Sequence, residues 1–285
     1  MDDRYDAYLK EHGLTADTYN NMERLVVAVS REIPNKSFAF VGTGLPIMAA
    51  NLAKRMSSPE VYVVLEAGTI DPQMEHAPGS VSDPRASYKA AMLGTMADSF
   101  GAAASRGFCT FGVLGCAECD KYANLNSTCV GEYTCAAYSE NGRGPRKRLI
   151  GSGGATDIAA YADKMIINTE HERRRFPDKV SYLTTVAGMR GPDGESRYAR
   201  GLYRGGEVVV ITDLCIMRPD PETGILYVTD IYEGVDPQQI QDNTGWDIDL
   251  SRAKVYPKPT YEELKQLRLY VDPNRLYLDK NKKKR

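Results

Sequence analysis

Apolar residues near the start of the chain recur at helical spacing. One helical face is formed by residues at positions i, i+3, i+4, i+7 and i+11, which are Met22, Leu25, Val26, Val29 and Ile33. The pattern predicts a helix over residues 15–33. Thr15 or Asp17 is expected to cap its start, and Pro34 to end it.

Two apolar runs then bracket a second helix. Phe38–Val41 predicts a short buried strand, and residues 46–56 predict a helix with Pro46 in its first turn, where no amide donor is needed. Residues 61–65 are all apolar or aromatic, which predicts a strand buried on both faces. The three elements form a βαβ unit.

The rest of the chain continues the alternation of strands and helices. Further strands are predicted at residues 108–114, 164–168, 207–213, 214–217 and 224–229, helices at 151–160, 236–240 and 259–270, and loops at 71–90 and 138–148. We expect an α/β fold with an open, mostly parallel sheet flanked by helices. A single domain should span residues 1–285, with a short N-terminal extension (1–14) and a basic C-terminal tail (279–285).

Composition excludes several functional classes. Of the 285 residues, 42% are hydrophobic and 26% are charged, and the formal net charge is −2, so no overall field attracts nucleic acid or a membrane surface. The acidic start lacks the apolar core of a signal peptide, and no run is long enough to span a membrane. We expect a soluble, cytoplasmic protein.

Five of the six cysteines lie in one segment, at Cys109, Cys116, Cys119, Cys129 and Cys135. Cys116 and Cys119 have the CxxC spacing of a metal-ligand pair, but no second CxxC follows and the three histidines are scattered. Small buried thiols that pack as hydrophobes are therefore favoured over a metal site, and no metal is expected.

Glu66 is the first candidate for chemistry. It ends the apolar run 61–65 and is followed by Ala67 and Gly68. Open α/β sheets bind ligands at the carboxyl ends of their strands, and Gly68 would let the chain turn and a substrate approach closely. A solvated carboxylate that merely ends a strand is the alternative.

Two glycine-rich segments are candidates for anion binding. Gly42-Thr43-Gly44 joins a predicted strand to a helix, where free amides face a phosphate or carboxylate. It is not a dinucleotide fingerprint, because Ile47 stands at the third glycine position. Gly151-Ser-Gly-Gly154 opens a later helix, and its amides would suit an oxyanion or a thioester carbonyl.

Taken together, the motifs resemble one known family. The ordered set Val41-Gly-Thr-Gly-Leu-Pro46, Leu65-Glu-Ala-Gly68, Asn124-x-Asn126-Ser-Thr128, Gly151-Ser-Gly-Gly-Ala155 and Asn243-Thr-Gly-Trp-Asp247 is similar to that of family I CoA-transferases, and most like the B subunits of the glutaconate branch. The resemblance runs from about residue 20 to residue 277.

The resemblance implies a function. Glu66 would be the nucleophile that attacks an acyl-CoA thioester and then carries CoA as a glutamyl thioester to an acceptor acid. The residues implied to bind substrate or CoA, or to form the oxyanion site, are Gly42, Thr43, Gly44, Ala67, Gly68, Asn124, Asn126, Gly151, Ser152, Gly153, Gly154 and Ala155. No cofactor would be tightly bound, since CoA is a substrate. The implied partner is an A subunit in a heterodimer or heterotetramer.

The chain also departs from the family pattern. Ser139-Glu140-Asn-Gly matches another form of the nucleophile motif, but no apolar strand precedes it, so Glu66 is favoured over Glu140. Cys116 and Ala123 replace two glycines beside the active region, so the acyl group is left open. Alternative functions are a ring-opening CoA-thioester hydrolase of the same fold, a non-catalytic subunit that completes a partner's site, and a zinc protein.

Overall fold

The computed structural model describes residues 2–42, 44–76, 78–79, 83–131 and 147–279. The chain forms two compact units, which are described in turn. Unit 1 comprises Met1–Ala103 and Pro257–Arg285, and unit 2 comprises Ala104–Tyr256. One domain across residues 1–285 stays a prediction.

Unit 1 begins with three helices and four strands. The helices are α1 (Asp3–His12), α2 (Asn21–Arg31) and α3 (Leu45–Arg55), and the strands are β1 (Phe38–Val41), β2 (Tyr62–Val64), β3 (Thr69–Ile70) and β4 (Met92–Leu93). The apolar faces of α2 and α3 pack against each other, and α3 also packs on β1.

The strands of unit 1 form one sheet in the order β1-β2-β3-β4. β1 and β2 are parallel, with Phe40 opposite Val64, so the predicted βαβ unit is confirmed. β3 and β4 continue the sheet in antiparallel pairs, in which Ile70 lies opposite Met92. Their two-residue lengths lie below what periodicity in a sequence detects, and they were not predicted.

The start predicted for the helix over residues 15–33 is wrong. α2 begins after Asn20, whose side chain accepts from the amide of Glu23 (2.9 Å) while the Glu23 carboxylate accepts from the Asn20 amide (3.0 Å). This reciprocal capping box satisfies two donors at once. Thr15 and Asp17 instead hydrogen-bond to each other (2.7 Å) ahead of the helix.

Unit 2 contains eleven strands and two α-helices in the described part of the chain. The strands are β5 (Phe111–Gly115), β6 (Glu118–Cys119), β7 (Asn124–Asn126), β8 (Cys129–Val130), β9 (Lys147–Arg148), β10 (Lys164–Asn168), β11 (Thr185–Val186), β12 (Glu207–Ile211), β13 (Cys215–Pro219), β14 (Leu226–Tyr232) and β15 (Lys254–Tyr256). The helices are α4 (Ala155–Tyr161) and α5 (Pro237–Asp242).

The main sheet of unit 2 has the order β15-β14-β13-β12-β10-β5. β10 is parallel to both β5 and β12, whereas β13 joins the sheet through antiparallel pairs with β12 and β14. Smaller sheets are formed by β6, β7 and β11 and by β8 and β9. The predicted class, an open sheet flanked by helices, is confirmed.

Several predicted boundaries in unit 2 are corrected. The strand predicted at 108–114 is β5, Phe111–Gly115, because a π-helical segment, Ala97–Phe108, occupies the preceding residues. Of the predicted loop 138–148, residues 138–146, with Glu140, lie outside the described residues. Lys147 and Arg148 are not loop but form β9, which pairs with β8. β15 was not predicted.

The chain returns to unit 1 with helix α6 (Tyr261–Gln266), continued by the π-helical turn Leu267–Val271, so the helix predicted at 259–270 is confirmed. Arg268 lies here and is fully buried. It donates to both carboxylate oxygens of Glu23 (2.8 and 3.1 Å) and to the hydroxyl of Tyr5 in α1 (2.9 Å). Arg275 donates to the same carboxylate (3.1 Å).

This ion cluster explains why the N-terminal extension is ordered. Tyr5 of α1 is fully buried, and the carbonyls of Thr15 and Thr18 also accept from Arg268. Burial alone would raise the pKa of Glu23, but the Arg268 hydrogen bond, the Asn20 amide and the two cations outweigh it, so that the pKa is lowered. The carboxylate is therefore held in its charged form at the centre of the unit.

No helix in the described ranges combines the length and the apolar character that crossing a bilayer requires.

Candidate active site

Glu66 lies at the tip of a tight turn. The amide of Gly68 donates to the carbonyl of Leu65 (3.0 Å), and the amide of Leu65 donates to the carbonyl of Thr69 (2.9 Å), so the chain reverses directly from β2 into β3. Glu66 is half-buried and Ala67 is exposed. The sequence placed Glu66 at the end of a strand, and the structure adds that the strand turns back as a hairpin.

The strand that leads to Glu66 is exposed at its first residue and buried after it. Val63, Val64 and Leu65 are buried, but the Tyr62 side chain is 49% exposed. The prediction of a strand buried on both faces is therefore wrong at Tyr62. Its ring stacks on Phe38 of β1 (centroids 5.7 Å apart), because β1 and β2 pair at this point.

Position 68 requires a glycine because neighbouring backbone packs closely against it, and not because space must stay open there. Its φ is +104°, and a Cβ there would lie 2.5 Å from the carbonyl group of Gly94 and 2.6 Å from the amide nitrogen of Thr95. The Gly94 amide donates to the Gly68 carbonyl (3.0 Å). The expectation that Gly68 leaves room for a substrate is corrected, since backbone already fills that space.

Substituting Gly68 by alanine should therefore disrupt the Glu66 turn. The positive φ and the contact with backbone together should cost about 2 kcal/mol or more. Urea unfolding would measure the loss. Gly13→Ala is the matched control, because Gly13 also has a positive φ (+64°) but nothing lies within 4 Å of the position that its methyl group would take. An equal loss in both variants would contradict the packing argument.

The structure holds the backbone of Glu66 in place but does not hold its carboxylate. The buried hydroxyl of Ser99 donates to the Glu66 carbonyl (2.9 Å). No described residue forms a hydrogen bond or an ion pair with the Glu66 carboxylate. Sequence reasoning missed Ser99 and Gly94, since neither lies in a motif and both act on a turn about thirty residues earlier in the chain.

The Gly42–Gly44 segment and Glu66 lie at the same end of the sheet of unit 1, beyond the carboxyl ends of β1 and β2. β1 and β2 are parallel and in register, with Phe40 opposite Val64, so the turns that follow both strands leave the sheet at one end. Gly44 (φ +86°) precedes the first residue of α3, and Gly42 is exposed. Thr43 lies outside the described residues.

The second glycine-rich segment belongs to unit 2. Gly151 and Gly153 have positive φ values (+100° and +50°), and the Gly151 amide donates to the carbonyl of Ser127 (2.9 Å). Ser152 and Gly153 are exposed, and the amides of residues 152–154 donate to no acceptor among the described residues. Gly154 and Ala155 are buried at the start of α4.

Asn124 and Asn126 direct their amide groups into unit 2. The Asn124 Nδ2 donates to both oxygens of Asp120 (3.0 and 3.1 Å), and the Asn126 Nδ2 donates to Glu118 (2.8 Å) and to the carbonyl of Cys129 (2.7 Å). Both asparagines are fully buried. Burial raises the pKa of Asp120, although the hydrogen-bond donors around its carboxylate act to lower it. Direct substrate contacts for these asparagines stay a prediction.

A comparison with protein families shows where this arrangement belongs. A family model described as "Coenzyme A transferase" matches residues 22–243. This range covers well over half of the chain and contains Glu66, both glycine-rich segments and both asparagines. The chain belongs to the coenzyme A transferase family.

Relatives of this CoA-transferase agree with the match. It is 36% identical to the B subunit of the 3-oxoadipate CoA-transferase of Pseudomonas knackmussii over 251 residues, covering 88% of this chain and 92% of the relative. It is 32% identical to the B subunit of the glutaconate CoA-transferase of Acidaminococcus fermentans over 268 residues, covering 91% and 95%. The crystal structure of the Acidaminococcus enzyme superposes with a TM-score of 0.82 at 31% identity, covering 92% of this chain and 98% of that one.

The cysteines of this CoA-transferase are free thiols at five described positions. Cys109, Cys119, Cys129 and Cys215 are buried, and Cys116 is partly exposed, while Cys135 lies outside the described residues. Within the described ranges, no three His, Cys, Asp or Glu side chains are grouped so as to hold a metal ion.

Another nucleophile–base pair lies in unit 2 but is not poised for chemistry. His171 is buried, with Nδ1 3.5 Å from the Cys215 Sγ and 3.1 Å from the Thr212 hydroxyl, and with Nε2 3.0 Å from the Thr244 hydroxyl. Burial lowers the pKa of His171 to about 4 and raises the pKa of Cys215 to about 12. Both groups are thus neutral near pH 7, and a neutral thiol is a poor nucleophile.

His171 should instead make the fold of this CoA-transferase sensitive to acid. Its pKa falls from 6.5 in the unfolded chain to about 4 in the folded one, so the unfolded state binds more protons between these values. The His171 contribution to the free energy of unfolding is fully present above pH 6.5. It is lost as the pH falls through 4, which lowers the free energy of unfolding by up to about 3 kcal/mol. Urea unfolding across this range would measure the loss. His171→Gln should remove this pH dependence, and an unchanged profile in that variant would contradict the assignment.

Proposed function

We propose that this chain is the B-type subunit of an acyl-CoA:carboxylate CoA-transferase in which Glu66 carries CoA as a thioester. The observation that supports this most directly is the state of Glu66. Its backbone is fixed by the Leu65–Gly68 turn and by Ser99, whereas its half-buried carboxylate has no partner among the described residues. A fixed backbone with a carboxylate free to react is the arrangement that a covalent nucleophile needs.

In the proposed chemistry, Glu66 forms two covalent intermediates, first an anhydride and then a thioester. A Glu66 oxygen attacks the acyl-CoA carbonyl carbon, the C–S bond breaks, and an acyl-glutamyl anhydride and the CoA thiolate form. The thiolate then attacks the glutamyl carbonyl and releases the original acid as a carboxylate. The acceptor carboxylate repeats the two steps in reverse, which yields its CoA thioester and regenerates Glu66. No bound cofactor takes part.

The glycine-rich segments supply hydrogen-bond donors for this chemistry. Each attack places negative charge on a carbonyl oxygen, and fixed backbone amides stabilise such charge without reorganisation. From the family resemblance, we propose this role for the amides of residues 152–154, which belong to unit 2 and donate to no described acceptor. The Gly151 amide is not available, because it already donates to Ser127. The Gly42–Gly44 turn is assigned to substrate contacts beside Glu66.

The proposed partner is an A-type CoA-transferase subunit, since the relatives are named as B subunits. An apolar surface next to the Glu66 turn supports this. It consists of Met92, Leu93 and Met96, whose side chains are 44%, 68% and 55% exposed, and it includes the last strand of unit 1's sheet. Methionine and exposed aliphatic clusters are typical of protein interfaces.

Leu93→Glu should therefore weaken assembly with the A-type subunit, by about 2 kcal/mol or more if Leu93 is central to the interface. Light scattering of the co-purified complex would measure its dissociation. Leu276→Glu is the control, because Leu276 is also exposed (44%) in the same unit but lies outside this surface. Equal weakening by both variants would contradict the assignment of the surface.

The mechanism is tested by trapping the enzyme thioester. The complex is incubated with 3-oxoadipyl-CoA or glutaconyl-CoA, chosen from the names of the relatives, and then treated with hydroxylamine. Conversion of Glu66 to its hydroxamate, seen as a mass change of the peptide that carries it, is the expected result. CoA release without any Glu66 adduct would overturn the proposal and indicate a hydrolase.

A further inference from the structure

Arg197 of unit 2 is a buried arginine whose charge no described carboxylate neutralises. It is 0% exposed, and it forms no ion pair with any residue of the described ranges. Burial lowers the pKa of its guanidinium, but an arginine keeps its proton in proteins even so. A buried charge is costly unless hydrogen bonds compensate for it, so the acceptors around Arg197 account for its position.

Four backbone carbonyls from two segments accept from this guanidinium. Nη1 donates to those of Val186 (3.1 Å), Ala187 (3.2 Å) and Gly188 (3.1 Å), and Nη2 donates to that of Ala159 (2.9 Å). Val186 is the last residue of β11, and Ala159 lies in the last turn of α4. A planar guanidinium carries donors on more than one side, so a single side chain holds both segments.

The two segments adjoin residues that the family resemblance assigns to the site. α4 starts directly after the glycine-rich segment Gly151–Gly154. β11 pairs with β7, and in this pair Val186 lies opposite Asn124. Arg197 therefore joins the helix that follows the glycine-rich segment to the strand pair that contains the two buried asparagines.

The glycine-rich segment is attached to the same strand pair at its beginning. The Gly151 amide donates to the carbonyl of Ser127, the residue after β7 (2.9 Å), and the Ser127 amide donates to the hydroxyl of Thr184, the residue before β11 (2.9 Å). The glycine-rich segment and α4 are thus held at both ends, by these contacts and by Arg197. The amides of residues 152–154, which donate to no described acceptor, lie between the two attachments.

Glycines next to Arg197 leave the space that its side chain fills. A Cβ at Gly206 would lie 3.1 Å from the Arg197 Cδ, and a Cβ at Gly205 would lie 2.3 Å from the carbonyl oxygen of Ala162. Ala162 directly follows α4. A larger residue at Gly206 would press on the arginine, and one at Gly205 would press on the end of the helix. The packing therefore allows Arg197 to reach the end of α4.

We propose that Arg197 is a positioning residue for CoA transfer, which keeps the amides of residues 152–154 where they stabilise negative charge on the reacting carbonyl oxygen. This inference rests on the function proposed above for the chain. Arg197 is fully buried, so it acts through α4 and does not touch the substrate. A displacement of about 1 Å in a catalytic arrangement can cost about 100-fold in rate, so the loss of this attachment should be seen in kcat.

Two substitutions of Arg197 test the proposal in the complex with the A-type subunit. Arg197→Met removes the donors, and kcat should fall about 10- to 100-fold while KM for the acyl-CoA stays within about threefold. Arg197→Lys keeps the charge but cannot reach both segments, and its kcat should be intermediate. The amount of Glu66 hydroxamate is then followed over time after mixing with acyl-CoA. Its rate of formation reports the chemical step and should fall, whereas its final extent reports the folded fraction and should not.

Arg190→Met is the matched control. Arg190 also joins two segments of unit 2 through backbone carbonyls, those of Gly194 (3.0 Å) and Glu222 (3.3 Å). Neither segment carries a residue that the family resemblance assigns to the site. This variant should lower the urea midpoint but leave kcat within a factor of about two.

The outcomes separate this inference from the function on which it rests. Absence of Glu66 hydroxamate from the unaltered complex would refute the proposed function. Hydroxamate formation at the unaltered rate in a folded Arg197→Met or Arg197→Lys complex would refute the role of Arg197 and leave the function in place. An equal fall of kcat in Arg190→Met would indicate a general loss of stability, and failure of both Arg197 variants to fold would indicate that the residue serves the fold alone. Either result would overturn the proposal.

Discussion

Glu66→Gln should reduce CoA transfer by roughly four to six orders of magnitude in kcat, because removal of a covalent nucleophile has effects of that size. The amide occupies the same space as the carboxylate, so the Leu65–Gly68 turn and the Ser99 hydrogen bond to the Glu66 carbonyl should persist. A steady-state assay of the complex with an acyl-CoA donor and an acceptor acid measures the effect, and urea unfolding should show a change of less than about 0.5 kcal/mol.

A carboxylate at the other end of β2 provides the control. Glu60 precedes β2 and is exposed, with Lys36 as a distant ion-pair partner (3.8 Å), so Glu60→Gln should leave kcat within a factor of about two. If Glu66→Gln also stays within about tenfold of the unaltered complex, Glu66 is not the nucleophile. Full activity of Glu66→Ala would indicate that this chain only completes a site of its partner.

Glu23→Gln should destabilise unit 1 by about 3–5 kcal/mol, the usual cost of removing one member of a buried ion cluster. The substitution keeps an oxygen that can accept from the Asn20 amide, but it leaves the buried guanidinium groups of Arg268 and Arg275 without their shared carboxylate. Arg268 also ties α1 and the Thr15–Thr18 turn to the C-terminal helix. Loss of the charge should therefore loosen the N-terminal extension as well.

Urea unfolding, together with hydrogen exchange of residues 3–12, would measure both effects. Glu262→Gln is the control, since Glu262 is an exposed member of α6 whose ion pair with Lys265 spans 3.7 Å, and it should change the stability by less than about 0.5 kcal/mol. The folded-state pKa of Glu23 is lowered, so its contribution is present above the unfolded pKa and is lost as pH falls through the folded value. A loss below about 1 kcal/mol would contradict the structural role.

Local patterns were sufficient for the elements in which each residue contacts near neighbours in the chain. Phe38–Val41 and Lys164–Asn168 were predicted with the bounds that the structure has, because continuous apolar runs between turn signals specify buried strands. The helix at Leu45–Arg55 followed in the same way from Pro46 and the apolar face behind it. Boundaries set by capping or by distant partners, such as the start of α2, were less accurate.

By itself, the sequence determined the order of strands and helices, the two glycine-rich turns and the position of Glu66 after an apolar run, and its ordered motifs pointed to the CoA-transferase family. Only the tertiary structure decided how Glu66 is held. Gly94 and Ser99 fix its turn, and Asn124 and Asn126 face inward. These contacts depend on strand pairing and packing between distant segments, which the periodicity of neighbouring side chains does not encode.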